Sequence, residues 1–339
     1  LKKARKNFYD FRFHQRAPDQ PWQPDYNSDS IPHIIRGSRH TMSPRRPSAL
    51  TALLILLCAL CGCAEQNAGL PPAAQAALQT DFANGDAMLS CNLGCVGNYG
   101  FHRQEMKTLY SDGNWNGLAT EVLNIGENID QAWFYLAASA EGLGDDEAAQ
   151  RYYFISLISR FQCRHGVNVC DGLDLPALTE QRLMALNTKM LASPEFAQLS
   201  TPSGPPGAPT EIHLLPGKGL ARVPVLLDGK IPLLFAVDSG SSGVTIPEGL
   251  AVLMFDQGLL KKQDVVGITN SVLANGATAP VIIFHIASLQ VSGLVVKNVI
   301  GAIAPGPGEL LLGQTFLNRF KSWAIDNSRN VLILQPPES

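Results

Sequence analysis

The sequence predicts a multidomain chain, an α-helical domain followed by an all-β domain closed into a small barrel. Three observations predict it. Residues 73–191 carry apolar side chains at three- and four-residue spacing, the period of helices with one buried face. Residues 200–210, Ser-Thr-Pro-Ser-Gly-Pro-Pro-Gly-Ala-Pro-Thr, are too rich in proline and glycine to sustain a helix or a strand ladder, and read as an interdomain linker. From residue 211 onward the pattern changes to short apolar runs separated by turn signals, and many short strands in about 125 residues suit a small closed barrel. With 339 residues, 45% of them apolar and only 16% charged, the chain has the material for two folded cores.

The first 63 residues belong to neither domain. Residues 1–50 hold ten Lys/Arg and four Asp/Glu, whereas residues 64–339 hold 16 basic and 25 acidic groups. The acidic remainder offers no electrostatic footprint for nucleic acid. Met42-Ser-Pro-Arg45-Arg46 reads as a basic n-region. Leu50 to Leu60 forms an apolar run of about eleven residues, too short for a membrane span and suited to a signal peptide. It closes on Leu60-Cys61-Gly62-Cys63, which resembles a bacterial lipobox. That resemblance implies lipidation at Cys63, with signal-peptidase cleavage nearby or an uncleaved anchor as the alternatives. Residues 1–41 read as translated upstream sequence. The expected location is the bacterial cell envelope, lipid-anchored, at the outer membrane facing the periplasm, since Ala64 rather than Asp follows the cysteine.

The helical domain spans residues 64–199. Cys91, Cys95, Cys163 and Cys170 form an even set in an exported chain, so disulfides are expected, with three pairings open. Their spacings are not those of a zinc ribbon or finger, and no metal is expected. Gly144-Asp145 marks a turn, with Asp145 or Asp146 as N-cap of the helix that follows. Residues 132–153 resemble a tetratricopeptide helix pair, in which small residues allow close approach and aromatic residues fill the groove, and residues 115–125 a degenerate neighbour. That resemblance implies a protein-docking module. The alternative is a helical bundle that only holds the second domain off the membrane.

In the β domain, residues 211–339, the runs 222–227 and 231–237 flank Asp228-Gly229-Lys230, a hairpin signal. The runs 268–273 and 280–286 flank Ala274-Asn275-Gly276-Ala277, a second hairpin. Residues 294–304 read as a strand, 315–320 as a short helix, and 323–326 with 331–334 as a closing hairpin.

The chemistry gathers at the end of the second strand. Leu233-Leu234-Phe235-Ala236-Val237 runs into Asp238-Ser239-Gly240, an order that suits a buried acid presented on a tight loop at the end of a core strand. Further on comes Leu311-Leu312-Gly313. The order of apolar strand, Asp-Ser-Gly, Asn-Gly hairpin, Leu-Leu-Gly and closing strands resembles the retropepsin-like aspartic proteases over nearly all of residues 211–336. The resemblance implies an aspartic endopeptidase acting on peptide or protein substrates as a homodimer. Asp238 is then the catalytic acid, and Ser239 supplies the hydroxyl that cross-links two loops. Gly240 permits close approach, Asn275 and Gly276 form the flap tip, and Leu311, Leu312 and Gly313 support the catalytic loop. Three departures stand out: Ser at 239 where Thr is commoner, an extra Ser242-Gly243 that could loosen the loop, and Gln314, whose polar side chain needs water or a hydrogen-bond partner.

Other constellations do not arise. Residues 240–243 lack the spacing of a nucleophile elbow, and there is neither a phosphate loop nor a zinc-protease helix motif, so no cofactor is expected. His213 and His285 read as ordinary strand residues, Asp256 and Asp326 as turn residues, and Glu309 as the cap of a loop end. The rival to the protease reading is a non-catalytic envelope scaffold whose helices bind a partner and whose barrel dimerises.

Overall fold

The computed structural model describes residues 72–91, 96–165, 169–200, 205, 207–215, 220–272, 276 and 278–337. Cys63, Cys95 and Asn275 lie outside the described residues, as do the signal segment and most of residues 201–206. Among the described residues, no helix is long and apolar enough to cross a membrane.

Among the described residues six main helices come first: α1 (Pro72–Ala83), α2 (Val96–Ser111), α3 (Trp115–Ile125), α4 (Asp130–Leu143), α5 (Asp146–Ile158) and α6 (Ala177–Leu191), followed by a single turn, α7 (Pro194–Ala197). Local chemistry sets their ends. Asn114 caps α3 by accepting from the Gly117 N–H at 3.1 Å, and Gly126 closes it at φ 68°. Gly144, at φ 92°, stops α4, where a residue with a Cβ would be strained. Asp145 does occupy the N-cap of α5, but its side chain makes no capping bond. Asp146 instead takes an ion pair from Lys189 on α6.

The α4–α5 hairpin is filled by aromatic rings. Tyr110 packs against Trp115, Phe134 and Tyr135, and Phe134 against Tyr153. The Trp115 indole lies directly on Gly142, where a Cβ would come 2.5 Å from its Cδ1. Cys163 and Cys170 form a disulfide, and Cys91 is disulfide-bonded as well. Burial pushes the hydroxyls of Tyr99, Tyr135, Tyr152 and Tyr153 above the ordinary tyrosine value, Tyr135 up to about 12.

The remainder is β-rich. A seven-stranded sheet has the order β2-β3-β8-β4-β7-β6-β5, built from β2 (Arg222–Leu227), β3 (Ile231–Val237), β4 (Val244–Pro247), β5 (Val265–Val272), β6 (Thr278–Val291), β7 (Leu294–Ala304) and β8 (Leu311–Leu312). Its curvature brings β2 back to β6, pairing Leu226 with Gln290 and Leu227 with Leu289. β5 is left as an exposed edge. β1 (Thr210–His213), β10 (Val331–Gln335) and β9 (Ser322–Asp326) make a second sheet of three strands. Alternating burial on β1 and the near-continuous burial of β2 and β3 follow from one solvated face against two covered ones.

Several expectations are corrected here. Thr210, the last linker residue in the sequence reading, is already paired with Leu334. Asp256 ends a helix, α8 (Glu248–Asp256), rather than a turn. The short helix near the end, α9 (Gln314–Leu317), starts one residue earlier and stops three earlier than expected. Asp326 does hold a turn, accepting from the Ser328 and Arg329 N–H groups. His213 and His285 are exposed strand residues.

Residues 77–339 cluster as one compact unit, and a single set of buried side chains runs through helices and strands alike. α5 packs on α8 so closely that a Cβ at Gly249 would lie 2.6 Å from the Phe154 carbonyl carbon. Glu309 does not cap a loop end; both its carboxylate oxygens accept from Arg151 Nη1 on α5 at 2.9 Å.

Two outcomes follow from this packing. Gly249→Ala should cost about 1–3 kcal/mol of stability, because neither backbone can retreat. Gly100→Ala, on the open face of α2, should add about 0.5–1 kcal/mol. Denaturant melts of the two variants check both. The buried tyrosines favour their neutral form in the folded state, so their contribution is complete below about pH 10 and is lost as pH rises through the higher folded values. The melting temperature should therefore fall steeply above about pH 10, with tyrosinate absorbance appearing only as the protein unfolds.

Candidate active site

The site is built on a parallel ladder. β3 and β8 pair Ala236 with Leu311 and Val237 with Leu312. The Ala236 N–H donates to the Leu310 carbonyl at 2.9 Å, and the Asp238 N–H to the Leu312 carbonyl at 3.2 Å. On its other side, the Val237 N–H donates to Ala221 at 2.8 Å. Asp238 thus leaves a clamped strand end with its backbone position fixed from both sides.

Residues 238–241 form a tight turn, in which the Ser241 N–H donates to the Asp238 carbonyl at 3.3 Å. Asp238 Oδ1 accepts from the Gly240 N–H at 2.9 Å, an Asx-type turn that orients the carboxylate. Asp238 is half-buried, while Ser239 and Gly240 are exposed. Among the described residues nothing pairs with the Ser239 hydroxyl. Gly240 does not need the left-handed region; a Cβ there would instead sit 3.2 Å from Asp238 Oδ1, crowding the carboxylate.

The glycine that close approach requires is Gly313. A Cβ at that position would lie 2.7 Å from the Ser241 carbonyl oxygen and overlap that of Gly243. This bare backbone lets the 238–243 loop lie flat on the 311–315 segment, and one backbone bond and two side chains then hold the segment against its surroundings. The Gln314 N–H donates to the Ser241 carbonyl at 3.0 Å, and Gln314 Nε2 donates to the Ser239 carbonyl at 2.7 Å. Thr315 Oγ1 accepts from the Val244 N–H at 3.0 Å and donates to the Ile300 carbonyl on β7 at 2.6 Å. Ser241 Oγ closes the loop on the Gly243 carbonyl at 2.8 Å. The extra Ser242-Gly243 is therefore tied down and does not loosen the loop.

The structure brings together Asp238, Ser239, Gly240, Leu311, Leu312 and Gly313 as a unit. Leu312 is fully buried beneath the loop. The expected flap is the β5–β6 hairpin, whose register pairs Val272 with Thr278. Gly276 is exposed at its tip with φ 81°. Thr315 was not singled out in the sequence; its signal was weak, because a threonine opening a short helix has many ordinary uses. Gln314 was visible only as a departure, and its amide turns out to be a clasp on the acid-bearing loop.

A metal has one place to be considered. Among the described residues, His102, Glu105 and Glu121 bring potential ligand atoms within 4.8 Å of one another. His102 Nδ1 already lies against the Glu121 carboxylate between α2 and α3, which accounts for the group. It lies on the helices, away from the Asp238 loop in sequence and element.

Gly313→Ala should disrupt the loop outright and lower the melting temperature, whereas Gln314→Ala should cost about 1 kcal/mol, the net worth of a hydrogen bond. Amide exchange of residues 239–243 should rise in both, more in the first, and mass-resolved exchange measurements check it.

The Asp238 loop and the segment beneath it fall within a stretch that matches a known family model. Residues 223–319 match the family model described as "gag-polyprotein putative aspartyl protease". No curated protein matches the chain. A solved structure described as that of a retropepsin-like aspartic protease from Rickettsia conorii aligns at 23% identity over 38% of this chain and 98% of that one, with a TM-score of 0.29. The stretch that resembles this family runs from β2 to just past α9, with Asp238 at its loop and Leu311-Leu312-Gly313 beneath it.

Proposed function

We propose that this chain is an aspartic endopeptidase that works as a homodimer, one Asp238 from each copy meeting at a two-fold axis. The observation that carries this reading is the Asp238 loop itself: a half-buried carboxylate held by the β3–β8 ladder, Gly313 and Gln314. Residues 211–339 contain one Asp-Ser-Gly. Peptide hydrolysis by carboxylates needs two, one ionised and one protonated, so a second copy supplies the partner. The exposed Ser239 hydroxyl, without a partner among the described residues, is available to that copy.

In the assembled site the ionised Asp238 takes a proton from a water while the oxygen of that water attacks the scissile carbonyl carbon. The protonated Asp238 of the other copy gives its proton to the carbonyl oxygen. The tetrahedral diol then collapses; the carbon–nitrogen bond breaks, the amine nitrogen receives a proton and a carboxyl group is left. The β5–β6 hairpin covers the substrate, and the strand-lined closed barrel favours extended, apolar peptides. No metal or cofactor takes part in this scheme.

The enzyme would act in the bacterial envelope, anchored by a lipid on Cys63 at the outer membrane. The Cys163–Cys170 disulfide supports an oxidising compartment, where such bonds form and persist.

Asp238→Asn should lower peptide cleavage by at least a hundred- to ten-thousand-fold, the usual weight of a general acid or base, and leave the fold and the dimer intact. Wild-type rate per chain should rise with protein concentration and follow a bell-shaped pH profile, because one carboxyl must be charged and the other neutral. A peptide-library digest with both proteins, read beside their sedimentation, is the test. Equal cleavage by the Asn variant would overturn the mechanism, and no cleavage by a dimeric wild type would leave the scaffold reading.

A further inference from the structure

One face of α5 is spent on the β-rich part of the chain. Glu147, Gln150, Arg151 and Phe154 recur at three- and four-residue spacing, a single stripe along the helix. Each reaches a different element. Glu147 pairs with Arg222 on β2, and Arg222 lies opposite Ala236 in the β2–β3 register. Gln150 Nε2 donates to the Pro232 carbonyl on β3 at 3.0 Å. Arg151 holds Glu309 through both carboxylate oxygens. Phe154 meets Gly249 of α8 backbone to backbone.

The last two contacts converge on one segment. Residues 305–310 join β7 to β8 without regular structure. Gly306 is fixed by Glu248, the first residue of α8: its N–H donates to Glu248 Oε2 at 3.2 Å, and its carbonyl accepts from the Glu248 N–H at 3.3 Å. Glu309 is fixed by Arg151. The next residue, Leu310, provides the carbonyl that holds Ala236, and Leu312 the one that holds Asp238. Between the α5 stripe and the acid there are thus only short, directly bonded steps.

We propose that α5 is a positioning element of the Asp238 site, with Arg151 and Glu309 as positioning residues. The helices and the barrel then form one catalytic unit rather than a docking module tethered to an enzyme. The side chains of Arg151 and Glu309 are 20% and 43% exposed, so their pair contributes little as a bulk stabiliser. Its worth is directional: a two-oxygen grip fixes where β8 begins. The proposal rests on the protease reading for its catalytic consequence, but not for its structural one.

The test is a double-mutant cycle in the full chain with Arg151→Met, Glu309→Gln and both together. Hydrogen exchange is followed at residues 236–241 and 309–314, and kcat and KM are measured on a cleaved peptide. Each single variant should raise exchange at both segments and lower kcat by roughly tenfold with KM little changed, as expected for a displaced catalytic group. The double variant should be no worse than either single. Lys189→Ala, which breaks the Asp146 pair on the same helix outside the stripe, should leave exchange at 236–241 unchanged. Unaltered exchange in the single variants, effects that multiply in the double, or an equal response to Lys189→Ala would overturn the proposal. If the wild type cleaves nothing, the protease reading falls, and the exchange data alone decide the role of α5.

Discussion

The parallel pairing of β3 with β8 is the constraint on which the rest of the site depends. Two carbonyls two residues apart, Leu310 and Leu312, take the N–H groups of Ala236 and Asp238. Parallel strands cannot be joined by a tight turn, so β8 must arrive from far along the chain. Everything between them, from β4 to the 305–310 segment, is the long connection that returns the backbone to the side of β3. The acid is therefore local in sequence, whereas its support is not.

Once that ladder is in place, side-chain identity is dictated over a short span. Gly313 must lack a Cβ because two carbonyl oxygens of the 241–243 loop lie against it. Gln314 and Thr315 follow at once and turn their polar groups back onto the loop and onto β7. Buried backbone groups that a tight turn would leave unsatisfied thus find partners. Among the described residues the carboxylate keeps one hydrogen bond, from Gly240, and it stays half-exposed.

The helices meet the strands through direct contacts that substitute poorly for one another. A glycine–phenylalanine backbone contact sets the spacing of α5 and α8, and bonds from Glu147, Gln150 and Arg151 tie α5 to β2, β3 and the 305–310 segment. The same α4–α5 pair is packed internally by the Tyr110, Trp115, Phe134, Tyr135 and Tyr153 rings. One side of α5 thus serves the aromatic core and the other the β-rich part.

By itself the sequence determined what short-range rules control. The Asp228-Gly229 hairpin, the pairing of β5 with β6, the 294–304 strand and the 115–158 helices follow from turn chemistry and periodicity within a few residues, as does the placing of Asp238 on a loop after an apolar strand. The tertiary structure alone decided what depends on residues distant in sequence. α8 was not legible, because Glu248–Asp256 is buried on nearly every side and carries no amphipathic period. The partners of Gln314, Thr315 and Glu309 were not legible either. A polar side chain shows its need for a hydrogen bond but not which of many distant groups will meet it, and only chain folding brings Arg151 to Glu309 across more than a hundred and fifty residues.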